Sequence, residues 1–250
     1  MPWRTLPWRA AASEVVATVR SAGWPVARLV HPLPAPPATD RPPVVLLHGY
    51  LGHPDVFRPL TRRLYEAGFG RVVAPGYPST RWPLDAVVRR LGDVVGPLAR
   101  EHGQVHLVGH SLGAVACRAY LKVFGGAEHV RSFVSLGGPH AGTALWRLAP
   151  PTLWDVLRPD GAWVRRLSVG PEPVPTTVIR SRYDQQVLPP VRAQLPGATE
   201  QLLTGTGHNG LLWSRSAHDA VLRALTDAEP CDTGLHAGAT LPPAGLPGRY

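Results

Sequence analysis

Val105-His106-Leu107-Val108-Gly109-His110-Ser111-Leu112-Gly113-Ala114 is a short apolar run that ends in Gly-His-Ser-Leu-Gly. The apolar part reads as a buried strand, and the proline-free segment 112–124 that follows reads as a helix. Between them the chain must turn sharply, with Ser111 at the apex. Gly109 and Gly113 permit this because neither brings a β-carbon into the crowded space around the turn. A strand, an apical serine and a helix in this order form the Gly-x-Ser-x-Gly nucleophile elbow. The plainer alternative is a glycine-bounded strand end, and the flanking strand and helix patterns weigh against it.

A serine hydroxyl is a weak nucleophile until a base takes its proton, and the base needs a third group to hold its tautomer. In elbow-type chains the acid and then the histidine follow the serine. Asp155, Asp160 and Asp184 are weighed as the acid. Asp184 lies in Ser181-Arg182-Tyr183-Asp184-Gln185-Gln186-Val187, just after the strand-like Thr176-Thr177-Val178-Ile179-Arg180, at a strand's carboxyl end where site residues gather. Asp155 and Asp160 fall in a Trp/Pro-rich insertion and read as solvated or capping residues. His208, in Thr204-Gly205-Thr206-Gly207-His208-Asn209-Gly210, is the expected base, on a loop that its glycines make flexible. His218 falls in a helical segment, 214–225, and His236 in the terminal tail. His110, next to the serine, is assigned to packing beside the elbow.

An acyl-transfer site must also stabilise an oxyanion, which backbone N–H groups do well. One donor is expected from Leu112, directly after the serine. The second is expected from the loop after Val44-Val45-Leu46-Leu47, where His48-Gly49-Tyr50 points to the Tyr50 N–H. His48 is read as an anchor of that loop.

His48-Gly49-Tyr50, Gly109-His110-Ser111-Leu112-Gly113, Gly137-Gly138-Pro139-His140-Ala141-Gly142-Thr143, Tyr183-Asp184 and Gly207-His208 together resemble the bacterial triacylglycerol lipases and esterases of the α/β-hydrolase fold. The resemblance covers roughly residues 44–226 and implies a triad of Ser111, Asp184 and His208 with an oxyanion hole at Leu112 and Tyr50. Many such lipases carry Met in place of Leu112 and Thr in place of Gly138. No cofactor is implied, and the calcium that supports some relatives has no recognisable site in this sequence.

Around these motifs the chain alternates strand-like and helical stretches, which predicts an α/β fold: a mostly parallel sheet with helices on both faces. Residues 71–74 and 130–136 read as strands, and 55–67 and 84–101 as helices. Upstream, 13–21 reads as a short helix capped by Ser13 with Val15, Val16 and Val19 facing inward. Residues 26–30 read as a strand and 31–43 as a proline-rich connector. Three units are expected: an amino-terminal arm and connector over 1–43, a catalytic core over 44–228, and a Pro/Gly-rich disordered tail over 229–250.

From 142 to 170 the alternation breaks and apolar residues crowd in, including three of the eight tryptophans. A small apolar cap over the acyl site is the preferred reading, with Trp146, Trp154 and Leu157 as substrate-binding residues; ordinary helices packed on the sheet are the alternative. Residues 1–9 repeat Pro-Trp-Arg, a pattern suited to peripheral contact with a membrane interface, although packing of the arm onto the domain is preferred. No secretory signal pattern is apparent, so a cytoplasmic location is expected, with secretion or membrane association as the alternative.

The net charge of +9 is almost wholly arginine, Lys122 being the only lysine. The arginines are scattered and no nucleic-acid motif accompanies them, so no nucleic-acid partner is expected. Cys117 and Cys231 make no disulfide framework. The sequence therefore predicts a serine hydrolase that cleaves carboxylic esters, its partner an ester or lipid substrate. A thioesterase or acyltransferase with the same triad, or a non-catalytic lipid-binding protein of this fold, are the alternatives.

Overall fold

A computed structural model describes residues 8–22 and 32–229. Among these residues the apolar runs form six parallel strands, those at the centre of the sheet buried on both faces and the last one largely exposed. They are β1 (Val44–Leu47), β2 (Val72–Val73), β3 (Val105–His110), β4 (Val130–Leu136), β5 (Thr176–Ser181) and β6 (Thr199–Leu203). Their order across the sheet is β2-β1-β3-β4-β5-β6, so β1 lies second from one edge, β2 adds to that edge and the remaining strands build outward in sequence on the other side. Parallel pairing requires a crossover between successive strands, and the intervening segments supply it.

Alternation along β1 sends Val45 and Leu47 to one face and Val44 and Leu46 to the other. The first face is covered by α3 (Leu84–His102) and α4 (Leu112–Val123), with Val87, Leu91, Val95, Val115 and Ala119 fully buried. The second is covered by α2 (Arg58–Glu66) and α7 (Arg215–Asp227), through Leu60, Leu64, Ala217, Val221 and Leu225. Ser214 starts α7, its hydroxyl accepting from the Ala217 N–H.

The 142–170 stretch contains short turns of helix, including α5 (Trp154–Leu157) and α6 (Ala162–Leu167). Leu153, Val156 and Leu167 belong to the core on the α3/α4 side.

The amino-terminal helix differs from its expectation. α1 runs Trp8–Ala22, so Ser13 lies inside the helix and is not its cap. Val15, Val16 and Val19 are 65%, 49% and 66% exposed. The face turned to the protein carries Glu14, Ala17 and Thr18, spaced i, i+3 and i+4, and it rests on the 3-10 turn Asn209–Leu212. Polar contacts at one loop thus outweigh apolar burial in setting the rotation of this helix. The strand expected over 26–30, the Trp3/Arg4 part of the arm, Cys231, His236 and the tail beyond 229 lie outside the described residues. Among the described residues no helix is long and apolar enough to cross a membrane.

Candidate active site

The elbow is a tight turn of the backbone. Ser111 has φ 53° and ψ −122°, a left-handed conformation that a side-chain-bearing residue rarely adopts. It is held on both sides, its N–H donating to Leu136 O (2.9 Å) and its carbonyl accepting from Ala114 N (3.0 Å). A β-carbon on Gly109 would stand 2.5 Å from Ala114 Cα, and one on Gly113 2.2 Å from Leu47 O. The two glycines are therefore required by close approach of backbone to backbone.

The loop after β5 supplies Asp184, a buried carboxylate whose position is set by its own turn. Oδ1 accepts from the N–H groups of Gln186 (2.8 Å) and Val187 (2.7 Å), which leaves Oδ2 directed at His208 Nδ1, 2.8 Å away. Thr143 ties this loop to the 142–170 segment: its hydroxyl donates to Gln186 O (2.7 Å) and accepts from Leu188 N (3.0 Å). Asp155 and Asp160 are exposed, and Asp160 pairs with Arg158 at 2.9 Å.

Burial alone pushes the His208 imidazole toward its neutral form. The charge and hydrogen bond of Asp184, with the charge of Glu14, outweigh that effect and raise its pKa above the ordinary histidine value. Nδ1 is thereby fixed as the protonated nitrogen. Nε2 is buried without a hydrogen-bond partner among the described residues. His110 lies beneath, its ring centroid 4.9 Å from that of His208 and its Nε2 donating to the His208 carbonyl (3.3 Å). Burial, then the nearby His208, holds the His110 pKa well below the ordinary value, so it stays neutral. Its packing role beside the elbow extends to a bond with the neighbouring loop. His218 is spent on Leu212 O (2.8 Å).

His48 anchors the loop after β1, as its position suggested. Its Nδ1 donates to Gly49 O (2.9 Å), and its ring stacks on Tyr77, centroids 4.3 Å apart, while the Tyr77 hydroxyl donates to the His48 carbonyl (2.6 Å). Burial lowers its pKa to about 4. His140, in the loop after β4, bonds Ser135 Oγ through Nε2 (2.7 Å) and is buried beside the elbow helix.

Ser111, Leu112, Tyr50 and His208 open into one cavity of about 200 Å³. Leu145, Leu148, Ala149, Leu153 and Leu157 form its apolar wall. Of the three residues expected to bind substrate, Leu157 is in the wall, whereas Trp146 and Trp154 are not. Those two indoles pack edge to face, 5.2 Å between centroids, and Trp154 Nε1 donates to Ala149 O (2.9 Å), so both are engaged in bracing the segment behind the wall. A larger cavity, about 380 Å³, lies at the opposite end of the sheet beside Ser132, Thr176 and Arg223 and contains none of these groups.

Sequence reasoning missed Glu14, Gln185 and Thr143. Gln185 Oε1 accepts from His208 N (3.1 Å), and Glu14 accepts from Asn209 N (2.9 Å) and Gly210 N (3.0 Å). Gln185 lies next to Asp184 in the chain and was within reach of the same reasoning; the pairing of Glu14 with a loop 195 residues away left no local signal.

With this geometry in view, residues 43–185 match the family model for palmitoyl protein thioesterase. The chain belongs to the palmitoyl protein thioesterase family. Within that family, human lysosomal thioesterase PPT2 is 35% identical over 115 residues, which is 44% of this chain and 37% of the human protein. The chain thus aligns with less than two-fifths of the curated relative's length. Among solved structures, Bacillus licheniformis lipase BlEst2 in mature form superposes with a TM-score of 0.59 at 16% identity, covering 76% of this chain and 94% of that one. Monoacylglycerol lipase of Paleococcus ferrophilus gives 0.58 at 18% identity, covering 76% and 97%. These likenesses show the α/β-hydrolase fold. The expected lipase resemblance is thus met at the level of the fold, while the matching family is that of the thioesterases.

Proposed function

We propose that this thioesterase-family protein is a serine acyl hydrolase that cleaves acyl thioesters. The observation that carries the reading is the 2.8 Å contact between Asp184 Oδ2 and His208 Nδ1 behind a cavity into which Ser111 also opens. In this scheme Ser111 Oγ attacks the thioester carbonyl as its proton passes to His208 Nε2, and Asp184 stabilises the imidazolium that results. The N–H groups of Leu112 and Tyr50 hold the tetrahedral oxyanion. Collapse breaks the carbon–sulfur bond, and His208 returns the proton to the departing thiol. Water, deprotonated by the same imidazole, then attacks the acyl-Ser111 ester; the carbonyl carbon–Oγ bond breaks, His208 returns the proton to Ser111 Oγ, and the carboxylic acid leaves.

The apolar wall at Leu145, Leu153 and Leu157 supports an apolar acyl chain, and the family supports sulfur as the leaving atom. The test is hydrolysis of palmitoyl-CoA and p-nitrophenyl palmitate by wild type and Ser111→Ala side by side. The expected result is Ser111-dependent turnover of both, with the larger kcat/KM for the thioester. A preference for the oxygen ester would move the reading to a lipase or esterase, and absence of Ser111-dependent turnover of either would remove the hydrolase reading.

A further inference from the structure

α1 presents an unusual combination. Val15, Val16 and Val19 are largely exposed, and the face turned to the protein joins the buried Ala17 to the carboxylate of Glu14. Glu14 Oε1 accepts from Asn209 N (2.9 Å) and Oε2 from Gly210 N (3.0 Å), so both oxygens are engaged by the two residues that directly follow His208. Thr18, one turn further along, accepts from Asn209 Nδ2 at 3.0 Å. The loop itself is cut to fit. A β-carbon on Gly207 would stand 2.5 Å from Glu14 Oε2 and 2.4 Å from Gln185 Nε2. The glycine before His208 therefore admits two polar side chains against the backbone, where the sequence suggested that it confers flexibility.

From this geometry we infer that Glu14 is a positioning residue for His208, clamping the loop that carries the imidazole and favouring the imidazolium formed during acyl transfer. The inference rests on the serine-hydrolase reading above. A carboxylate that accepts two backbone N–H groups makes charge-assisted bonds, stronger than those of a neutral acceptor. With the neutral Gln185 amide oxygen accepting from the N–H of His208 itself and the Glu14 carboxylate from the next two, the residue has little freedom. The groups facing the imidazole are Asp184 from the loop after β5, Glu14 from α1 and His110 from β3, with His48 behind His110. Two are carboxylates and two are buried neutral histidines, so the field on His208 favours positive charge. Its raised pKa agrees with this.

Glu14→Gln, Glu14→Asp and Glu14→Ala separate the hydrogen bonds from the charge, and Val19→Ser on the outward face of α1 controls for damage to the helix. Steady-state kinetics on palmitoyl-CoA across pH are combined with an NMR titration of the His208 ring in the Ser111→Ala background. Glu14→Ala is expected to lose roughly 10- to 100-fold in kcat with KM nearly unchanged, the effect of a misplaced base. Glu14→Gln should lose less, while its acid limb of kcat/KM and its His208 titration both move to lower pH. Glu14→Asp should hold the limb near its wild-type position, and Val19→Ser should match wild type throughout. A Glu14→Gln titration that coincides with wild type, or a Glu14→Ala protein with wild-type kcat, overturns the inference whatever the melting temperature. Failure of the hydrolase reading shows separately, as a wild type no faster than Ser111→Ala, and the NMR titration still decides the role of Glu14.

Discussion

Oδ2 of Asp184 and Nδ1 of His208 stand 2.8 Å apart, both buried, with the other carboxylate oxygen pinned by two backbone N–H groups. The carboxylate cannot rotate away without breaking those bonds, so its direction is part of the fold. Replacing Asp184 by Asn puts an amide donor against a nitrogen that must then become the acceptor, and the imidazole adopts the wrong tautomer. Asp184→Asn is expected to lower kcat by about 10³- to 10⁴-fold, measured on palmitoyl-CoA, with the fold retained by circular dichroism.

In the proposed reaction the same pair sets the pH dependence of activity. There His208 must be neutral to take the serine proton, and its pKa lies above the ordinary histidine value. Activity should therefore fall as pH drops through that raised value. The acid limb of kcat/KM is expected at a midpoint above about 6.5. A limb centred near pH 5 would contradict the assignment of His208.

Stability should show a different pH window. Burial, with Arg131 and Arg41 nearby, lowers the His106 pKa to about 4, and burial lowers that of His48 to about 4. Between the unfolded value of about 6.5 and about 4, the unfolded chain binds protons that the native protein does not. Stability is then lost as pH falls through this window. Urea midpoints should decline from pH 7 to pH 4, and His106→Gln should flatten the decline.

Gly113 tests the elbow. Its missing β-carbon would meet Leu47 O at 2.2 Å and His48 O at 2.5 Å, both backbone atoms of the strand and loop that carry the proposed oxyanion site. Gly113→Ala is expected to cost about 3 kcal/mol or more, read from urea unfolding, because the clashing atoms are backbone carbonyls that cannot swing aside as a side chain can.

The wall of the cavity predicts a division of labour within 142–170. Leu157→Trp adds volume where the acyl chain would lie, and its kcat/KM for palmitoyl over butyryl thioester should fall at least about tenfold. Trp154→Ala removes a brace outside the cavity. Its melting temperature should fall, and its chain-length profile should stay near wild type.

Much of the fold was legible because it depends on local pattern. Val105–His110, Ser111 and the helix after it were readable from one run, since a parallel strand buried on both faces, a glycine-bounded turn and a helix each leave a signature within a few residues. Val130–Leu136 emerged with the expected bounds for the same reason. The order Ser111, Asp184, His208 was legible as spacing and motif.

What required the tertiary structure was everything decided by contact between distant segments. Glu14 reads in sequence as an ordinary helix residue, and Val15, Val16 and Val19 read as its buried face, because apolar periodicity is the usual guide to rotation. The helix turns the other way because two N–H groups beside His208 and the amide of Asn209 find partners on its polar face. Trp146 and Trp154 reach each other, not the cavity, for a like reason: composition places large rings in a segment, but packing decides which side chains line a surface and which brace it. The sequence by itself thus determined the sheet, the elbow and the candidate acid and base, all encoded within short stretches. The alignment of those groups, and the clamp that holds them, depend on long-range hydrogen bonds and close approaches that exist only once the chain has folded.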